Sequence, residues 1–400
     1  MIRRVYENYK QIILYTCIAV VVGIAVGVID AVFGRILIAI TDFRNENIIK
    51  LVPFLPVTGV AIMLMYRKLG KESIKGMTLI FQTGHGEREK IPKRLMPLLM
   101  LSTWISHLFG ASTGREGVAV QLGATFSHTL GRKMKMPDNS KTLLVVGMAA
   151  GFAGLFQTPL AATFFALEVL TAGTLLYEAL LPALTASFVA SYTSHMLGLE
   201  KFSVNLSDTL NLSGITIAKI IVIGIVFGIV GGLFAHLLES SKGFFAKKIE
   251  DPIKRIFFMG CILAVILLLL HLGRYCGLGT NLIQASFSGG TIFAYDFLLK
   301  IVLTIFSLSI GFQGGEVTPL FSIGATLGIV LGSLLGLPPV IIAALGYAAI
   351  FGSATNTLLA PILIGAEVFG TENILIFAVV CSIAYVFNGN RTIYSLQKRG

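Results

Sequence analysis

Arg115 and Glu116 stand together inside Gly110-Ala-Ser-Thr-Gly-Arg-Glu-Gly-Val-Ala-Val-Gln121, a stretch flanked by two strongly apolar runs. A carboxylate and a guanidinium in such surroundings are costly unless they face a polar cavity, a bound ion or each other. The small residues ahead of Val118 suit irregular backbone, and Val118-Ala119-Val120 reads as the start of a helix. Such a helix would point its free N–H groups and the positive end of its dipole back at Glu116, which makes an anion site. Its occupant could be a bound anion or the glutamate itself. The plainer alternative is a surface loop with solvated Arg115 and Glu116.

The elements that must position these groups are membrane helices. Of the 400 residues, 55% are hydrophobic and only 13% charged, with mean hydropathy +0.85; soluble domains carry about 25% charged residues. Apolar runs of span length begin near Gln11, Met96, Thr142, Ile215, Phe257 and Pro338, each near the ~20 residues a transmembrane helix needs. The net charge of +11 comes from clusters such as Arg3-Arg4, Arg67–Lys75, Arg88–Arg94, Arg132–Lys141 and Lys242–Arg255. Most of these read as cytoplasmic loops under the positive-inside rule, in a multi-pass chain in contact with lipid whose expected location is the plasma (inner) membrane. No nucleic-acid partner is expected, since the basic residues are accounted for as loop clusters between spans. Cys17, Cys261, Cys276 and Cys381 are far apart and the six histidines are scattered, so neither a metal site nor a disulfide framework is predicted, and no cofactor is implied.

The span Gln11–Ile40 is followed by a predicted polar loop over Thr41–Ile49, and Leu51–Tyr66 is short and carries Pro53 and Pro56. Thr142–Leu170 is interrupted at Gln157-Thr158-Pro159, and Gly277–Gly290 is polar and glycine-rich. The chain also repeats itself. Gly110, Gly114, Gly123-Ala124-Thr125 and Leu130-Gly131 recur as Gly311, Gly315, Gly324-Ala325-Thr326 and Leu331-Gly332. Gly147, Ala149-Ala150, Phe152, Thr158, Leu160-Ala161 and Glu168-Val169 return as Gly346, Ala348-Ala349, Phe351, Thr357, Leu359-Ala360 and Glu367-Val368. The polar stretch Glu200–Ser213 divides the copies, giving a first transmembrane repeat over 1–213 and a second over 214–400, with no soluble domain. Two repeats with a broken helix in each are the pattern of a transporter whose site lies at the repeat interface. Gly114–Val118 and Gly315–Pro319 should therefore meet, and Pro319 suits the first turn of a helix there. The strings alone leave parallel and inverted repeats open.

At these residues the chain resembles the CLC family of anion channels and proton-coupled antiporters. The resemblance covers nearly the whole chain and rests on Gly114-Arg-Glu-Gly117, Gly314-Gly315 through Pro319, the Gln157-Thr158-Pro159-Leu160-Ala161 block and Tyr394. It implies an all-α polytopic fold of two inverted-topology repeats with broken helices, and a homodimer with one pore per subunit. Four departures from the usual motifs stand out. Val118 follows GREG in place of proline, Lys75-Gly76-Met77 replaces the loop whose serine touches the anion, Glu316-Val317-Thr318 replaces isoleucine-phenylalanine-alanine, and Val169 stands where many antiporters keep an internal glutamate. This set is similar to the fluoride-exporting branch, which exchanges fluoride for protons. A chloride/proton antiporter and a passive anion channel of the same family are the alternatives.

The resemblance assigns roles residue by residue. Glu116 is the gating and proton-coupling carboxylate: ionised, it competes with the anion; protonated, it releases the helix end. Gly114, Arg115, Gly117, Val118, Met77, Val317, Thr318 and Tyr394 form the anion-binding set. Tyr394 and Thr318 supply hydroxyl donors, Met77 exchanges a donor for a thioether, and Val317 leaves room where phenylalanine usually stands. Glu316 has no counterpart in ordinary family members; beside the second helix end it is read as a possible coupling acid, with orienting the loop or pairing with a lysine as the structural alternatives. Glu168 and Glu367, at matching repeat positions, are expected to cap or pair inside the bundle.

Overall fold

The computed structural model describes residues 2–136, 141–206, 210 and 213–400, with side chains from residue 9 onward. Residues 137–140 of the Arg132–Lys141 cluster and 207–209, 211 and 212 of the dividing stretch lie outside the described residues, as do the side chains of Arg3 and Arg4. The chain is a helical bundle, and among the described residues five helical segments are long and apolar enough to cross a membrane.

Helix α1 (Ile2–Glu46) leads through the short α2 (Ile48–Leu51) to α3 (Leu55–Met65). The polar loop predicted over Thr41–Ile49 is instead helical as far as Glu46. Its guanidinium-bearing Arg44 is buried against protein and donates to the His107 carbonyl at 3.0 Å, so the helix end packs inward rather than looping into solvent. Helices α4 (Met77–Gly84) and α5 (Leu95–Leu108) follow, then α6 (Glu116–Lys133), α7 (Lys141–Phe156), α8 (Pro159–Glu168) and α9 (Leu180–Met196). The break between α7 and α8 falls at Gln157-Thr158, as the sequence predicts, because Pro159 cannot continue a helix but suits the first turn of the next.

Helix α10 (Gly214–Lys248) starts at Ser213, whose hydroxyl accepts the Thr216 N–H at 3.2 Å. Helix α11 (Pro252–Leu269) starts at Asp251, which accepts the Ile253 N–H at 2.8 Å, with Pro252 in the first turn. The glycine-rich stretch after it contains a helix the sequence reading did not predict, α12 (Thr280–Phe287). Then come α13 (Asp296–Ile310), α14 (Val317–Leu335), α15 (Pro339–Thr355), α16 (Leu359–Phe369) and α17 (Ile374–Val386).

The repeated glycines are crossing points. A side chain at Gly123 would strike the Gly147 carbonyl of α7, and one at Gly324 would strike the Gly346 carbonyl of α15. Small residues let the helix pairs α6/α7 and α14/α15 pack backbone to backbone, which is how membrane helices associate when lipid removes the hydrophobic drive between them. Beyond α17 the chain returns across the bundle, and β2 (Lys398–Arg399) pairs in parallel with β1 (Thr171–Ala172) after α8. The Gln397 amide donates to the carbonyls of Val169 and Thr355, both at 3.0 Å, which pins the segment that carries Tyr394.

Candidate anion site

The two broken helices meet where the repeat predicts. Gly114 N–H donates to the Gly315 carbonyl at 2.5 Å and Gly315 N–H donates to the Gly114 carbonyl at 2.7 Å, a two-residue antiparallel bridge. Glycine is required at this contact: a side chain on Gly114 would meet the Gly315 carbonyl oxygen at 2.8 Å and Pro319 Cδ at 2.8 Å. The bridge sets the N-terminus of α6 beside that of α14, so two helix ends converge on one volume.

Helix α6 begins at Glu116, not at Val118. The glutamate is therefore the first residue of its own helix, and its side chain reaches the other one. Its Oε2 accepts the Thr318 N–H at 3.1 Å and a hydrogen bond from the Thr318 hydroxyl, while the Arg115 Nε lies 3.4 Å from Oε1. Glu116 is fully buried and so occupies the α14 end itself. Charge-assisted hydrogen bonds contribute about 1.5–3 kcal/mol each, and a partly buried helix end adds up to ~2 kcal/mol for a negative charge. A competing anion has to recover an amount on that scale.

Beside this carboxylate lies a cavity of about 360 Å³. Met77, Gly117, Glu316 and Tyr394 line it, together with Gln121 and Lys242. Of the predicted set, Gly114, Arg115, Val118, Val317 and Thr318 do not line it. Gly114 is spent on the bridge, Thr318 is engaged by Glu116, and Arg115 lies against the glutamate. Val118 packs with Phe33, Leu122 and Leu155, and Val317 is buried in the main core. Tyr394 stacks on Phe81 with ring centroids 5.2 Å apart. Glu316 sits with one oxygen 3.8 Å from the Lys242 ammonium.

Several residues here escaped the sequence reading. Gln121 donates to the Gly117 carbonyl at 2.9 Å, and its own oxygen is buried without a hydrogen-bond partner. Lys242 belongs to a cluster that reads as a cytoplasmic loop, yet it is in the last turns of α10 and faces the cavity. Lys300 is fully buried on α13 and donates to the Ser112 hydroxyl at 2.9 Å, bracing the loop that ends in Gly114. A lone lysine inside the apolar run Phe297–Ile310 was the signal that could have found it.

The family pattern described as the voltage gated chloride channel matches residues 58–389. The chain belongs to that family, the CLC family. A "Chloride/fluoride channel protein" from Pseudomonas syringae pv. tomato is 37% identical over 353 residues, 86% of this chain and 78% of the relative. Among solved structures, a CLC-type fluoride/proton antiporter superposes with a TM-score of 0.96 at 50% identity, covering 98% of this chain and 99% of that one. A slow cyanobacterial Cl⁻/H⁺ antiporter shares the fold, with a TM-score of 0.82 at 21% identity over 96% of each chain. The bundle is thus a CLC fold.

Proposed function

We propose that this CLC protein is a secondary active transporter that exchanges fluoride for protons and expels fluoride from the cell. The observation that carries the reading is Glu116 docked on the N-terminus of α14, where it holds the place an anion would take. Anion and ionised carboxylate exclude each other there. Protonation removes the charge that holds Glu116 at the helix end, so each proton taken up frees the site for an anion. The likeness to a CLC-type fluoride/proton antiporter at 50% identity supports fluoride as the anion, and hydrofluoric acid supplies the need: it crosses membranes uncharged and is trapped inside as the ion.

The rest of the reading is proposed with it. Met77, Gln121 and Tyr394 line the chamber through which the anion reaches Gly117 and Thr318. Glu316, exposed to that chamber and near Lys242, is the second acid on the proton route. Val169, Val118 and Val317 offer no protons, so protons travel through Glu116, Glu316 and water. The segments 1–213 and 214–400 act as two inverted repeats, the protein is a homodimer with one pore per subunit, and it sits in the plasma membrane surrounded by lipid. It is a transporter rather than an enzyme.

Proteoliposomes loaded with fluoride or chloride, with external pH recorded during efflux, test this reading. Fluoride efflux that drives proton uptake, with chloride inert and Glu116→Gln uncoupled, is the expected result. Equal chloride exchange would make it an ordinary chloride/proton antiporter, and fluoride flux that no proton gradient can drive uphill would make it a channel.

A further inference from the structure

A second chamber, about 340 Å³ in volume, lies away from the Glu116 cavity, at the C-terminal ends of α1 and α11. Its wall includes Thr41, Arg44, Asn45, Arg274, Thr280 and Asn281, and among the described residues no carboxylate lines it. The N-termini of both helices follow or carry basic clusters, Arg3-Arg4 and Lys242–Arg255. The positive-inside rule therefore turns this chamber outward, whereas the cavity lined by Lys75 and Lys242 faces inward.

The chamber has an unbalanced positive charge. Arg44 is only 3% exposed; it donates to the His107 carbonyl at 3.0 Å and to Asn45 Oδ1 at 2.9 Å, both neutral, and its Nε finds no partner. Behind the wall, Lys300 donates to the carbonyls of Tyr275 at 3.2 Å and Gly277 at 2.7 Å as well as to Ser112. None of these acceptors carries a charge. Asp296, the buried acid nearby, is already engaged: it takes Arg274 at 3.1 and 2.7 Å, the Tyr275 hydroxyl at 2.6 Å and the Phe293 N–H at 2.9 Å. Asp42, on the same helix as Arg44, is exposed. A buried guanidinium with no carboxylate hydrogen-bonded to it, and a buried amine behind it, is costly unless something negative joins them.

A donor surface for such a partner exists. Helix α12 opens on this chamber with Gly279 at its N-cap, in the left-handed region at φ +85°, and no side chain caps its first N–H groups. A Cβ at Gly279 would meet Ser322 Oγ at 2.7 Å and Lys300 Cε at 2.8 Å, so only glycine lets the start of α12 pack this closely over Lys300 behind the wall. An uncapped helix start and a buried, incompletely partnered guanidinium thus share one wall.

We propose that this outer chamber is a second anion site, which takes a small inorganic monovalent anion between the Arg44 guanidinium and the first turn of α12. It is also wired to the pore. The His107 carbonyl that accepts Arg44 belongs to the residue whose ring Nε2 lies 3.3 Å from the Gly114 carbonyl of the bridge. The site stands on its own residues and does not depend on which anion the pore exchanges.

Crystals of the full-length protein soaked in sodium bromide, with anomalous scattering recorded at the bromine edge, test the proposal. The expected result is a peak between Arg44 and Thr280 that persists in Glu116→Gln and loses occupancy in Arg44→Gln, with bromide affinity falling about tenfold or more, as loss of a charged hydrogen bond implies. A peak that survives unchanged in Arg44→Gln would overturn it. So would its absence from wild-type crystals, and the wild-type soak decides alone should Arg44→Gln not fold. Failure of fluoride exchange in liposomes would leave the peak in place, which separates this site from the proposed function.

Discussion

Glu168 and Glu367 offer a sharp test, because an intramembrane carboxylate reads by default as a proton carrier whereas the structure makes these two caps. Glu168, at the C-terminus of α8, accepts the Leu358 and Leu359 N–H groups at 3.1 and 3.2 Å on one oxygen and the Ala360 N–H at 2.9 Å on the other. Glu367 returns the contact, accepting Leu160 N–H at 3.1 Å and Ala161 N–H at 2.8 Å at the start of α8. Each glutamate thus closes the broken helix of the other half. In Glu168→Gln, whichever oxygen becomes nitrogen sets a donor against one or two of three buried donors. Leaving a buried donor unpaired costs about 1–3 kcal/mol, and losing the charge at a helix N-terminus costs ~1 kcal/mol more. The sum, about 2–4 kcal/mol, corresponds to a fall on the order of 5 °C in the thermal midpoint. Glu367→Gln should fall less, since Glu367 is half-buried and caps two groups rather than three. The assay is the loss of monodisperse protein on heating in detergent, run beside liposome flux at permissive temperature. Proton coupling should survive in both variants. An unchanged midpoint with lost coupling in Glu168→Gln would refute the capping role and make Glu168 a proton carrier.

Other perturbations separate further parts of the structure. Tyr394→Phe keeps the stacking on Phe81, so the thermal midpoint should hold while fluoride binding measured by calorimetry weakens about tenfold, the worth of a charge-assisted hydrogen bond. Gly324→Val places bulk against the Gly346 carbonyl and should yield no folded protein by size-exclusion chromatography, whereas Gly243→Ala on α10, with open space around it, should fold. His85, in the loop after α4, has its pKa lowered from 6.5, chiefly by burial and against the pull of its bond to the Leu396 carbonyl. A folded-state value below the unfolded one means stability present above pH 6.5 and lost as pH falls through the folded value. The thermal midpoint should drop on acidification to pH ~5.5, and His85→Gln should flatten that slope.

The membrane class, the helix break at Pro159 and the two-fold repeat were all legible in the sequence, because each is written in local chemistry. Apolar runs of span length, a proline that cannot continue a helix, and glycines recurring at fixed offsets need no knowledge of what they touch. The repeat even located the contact between Gly114 and Gly315, since matched breaks in two copies must face each other to share a site. The pairing of charges was not legible. Which helix end Glu116 occupies depends on the facing α14, some two hundred residues away in sequence, and the local reading placed the glutamate in front of a helix that it actually begins. The end of α1 was read as a loop because its polar residues carry no sign that Arg44 will be buried against His107. Helix α12 was hidden because its glycine-flanked eight residues show too few turns for a periodicity. Local pattern follows from the chain alone, whereas the partner of a buried charge is fixed only when distant segments close around it, and in this protein those partnerships make the site.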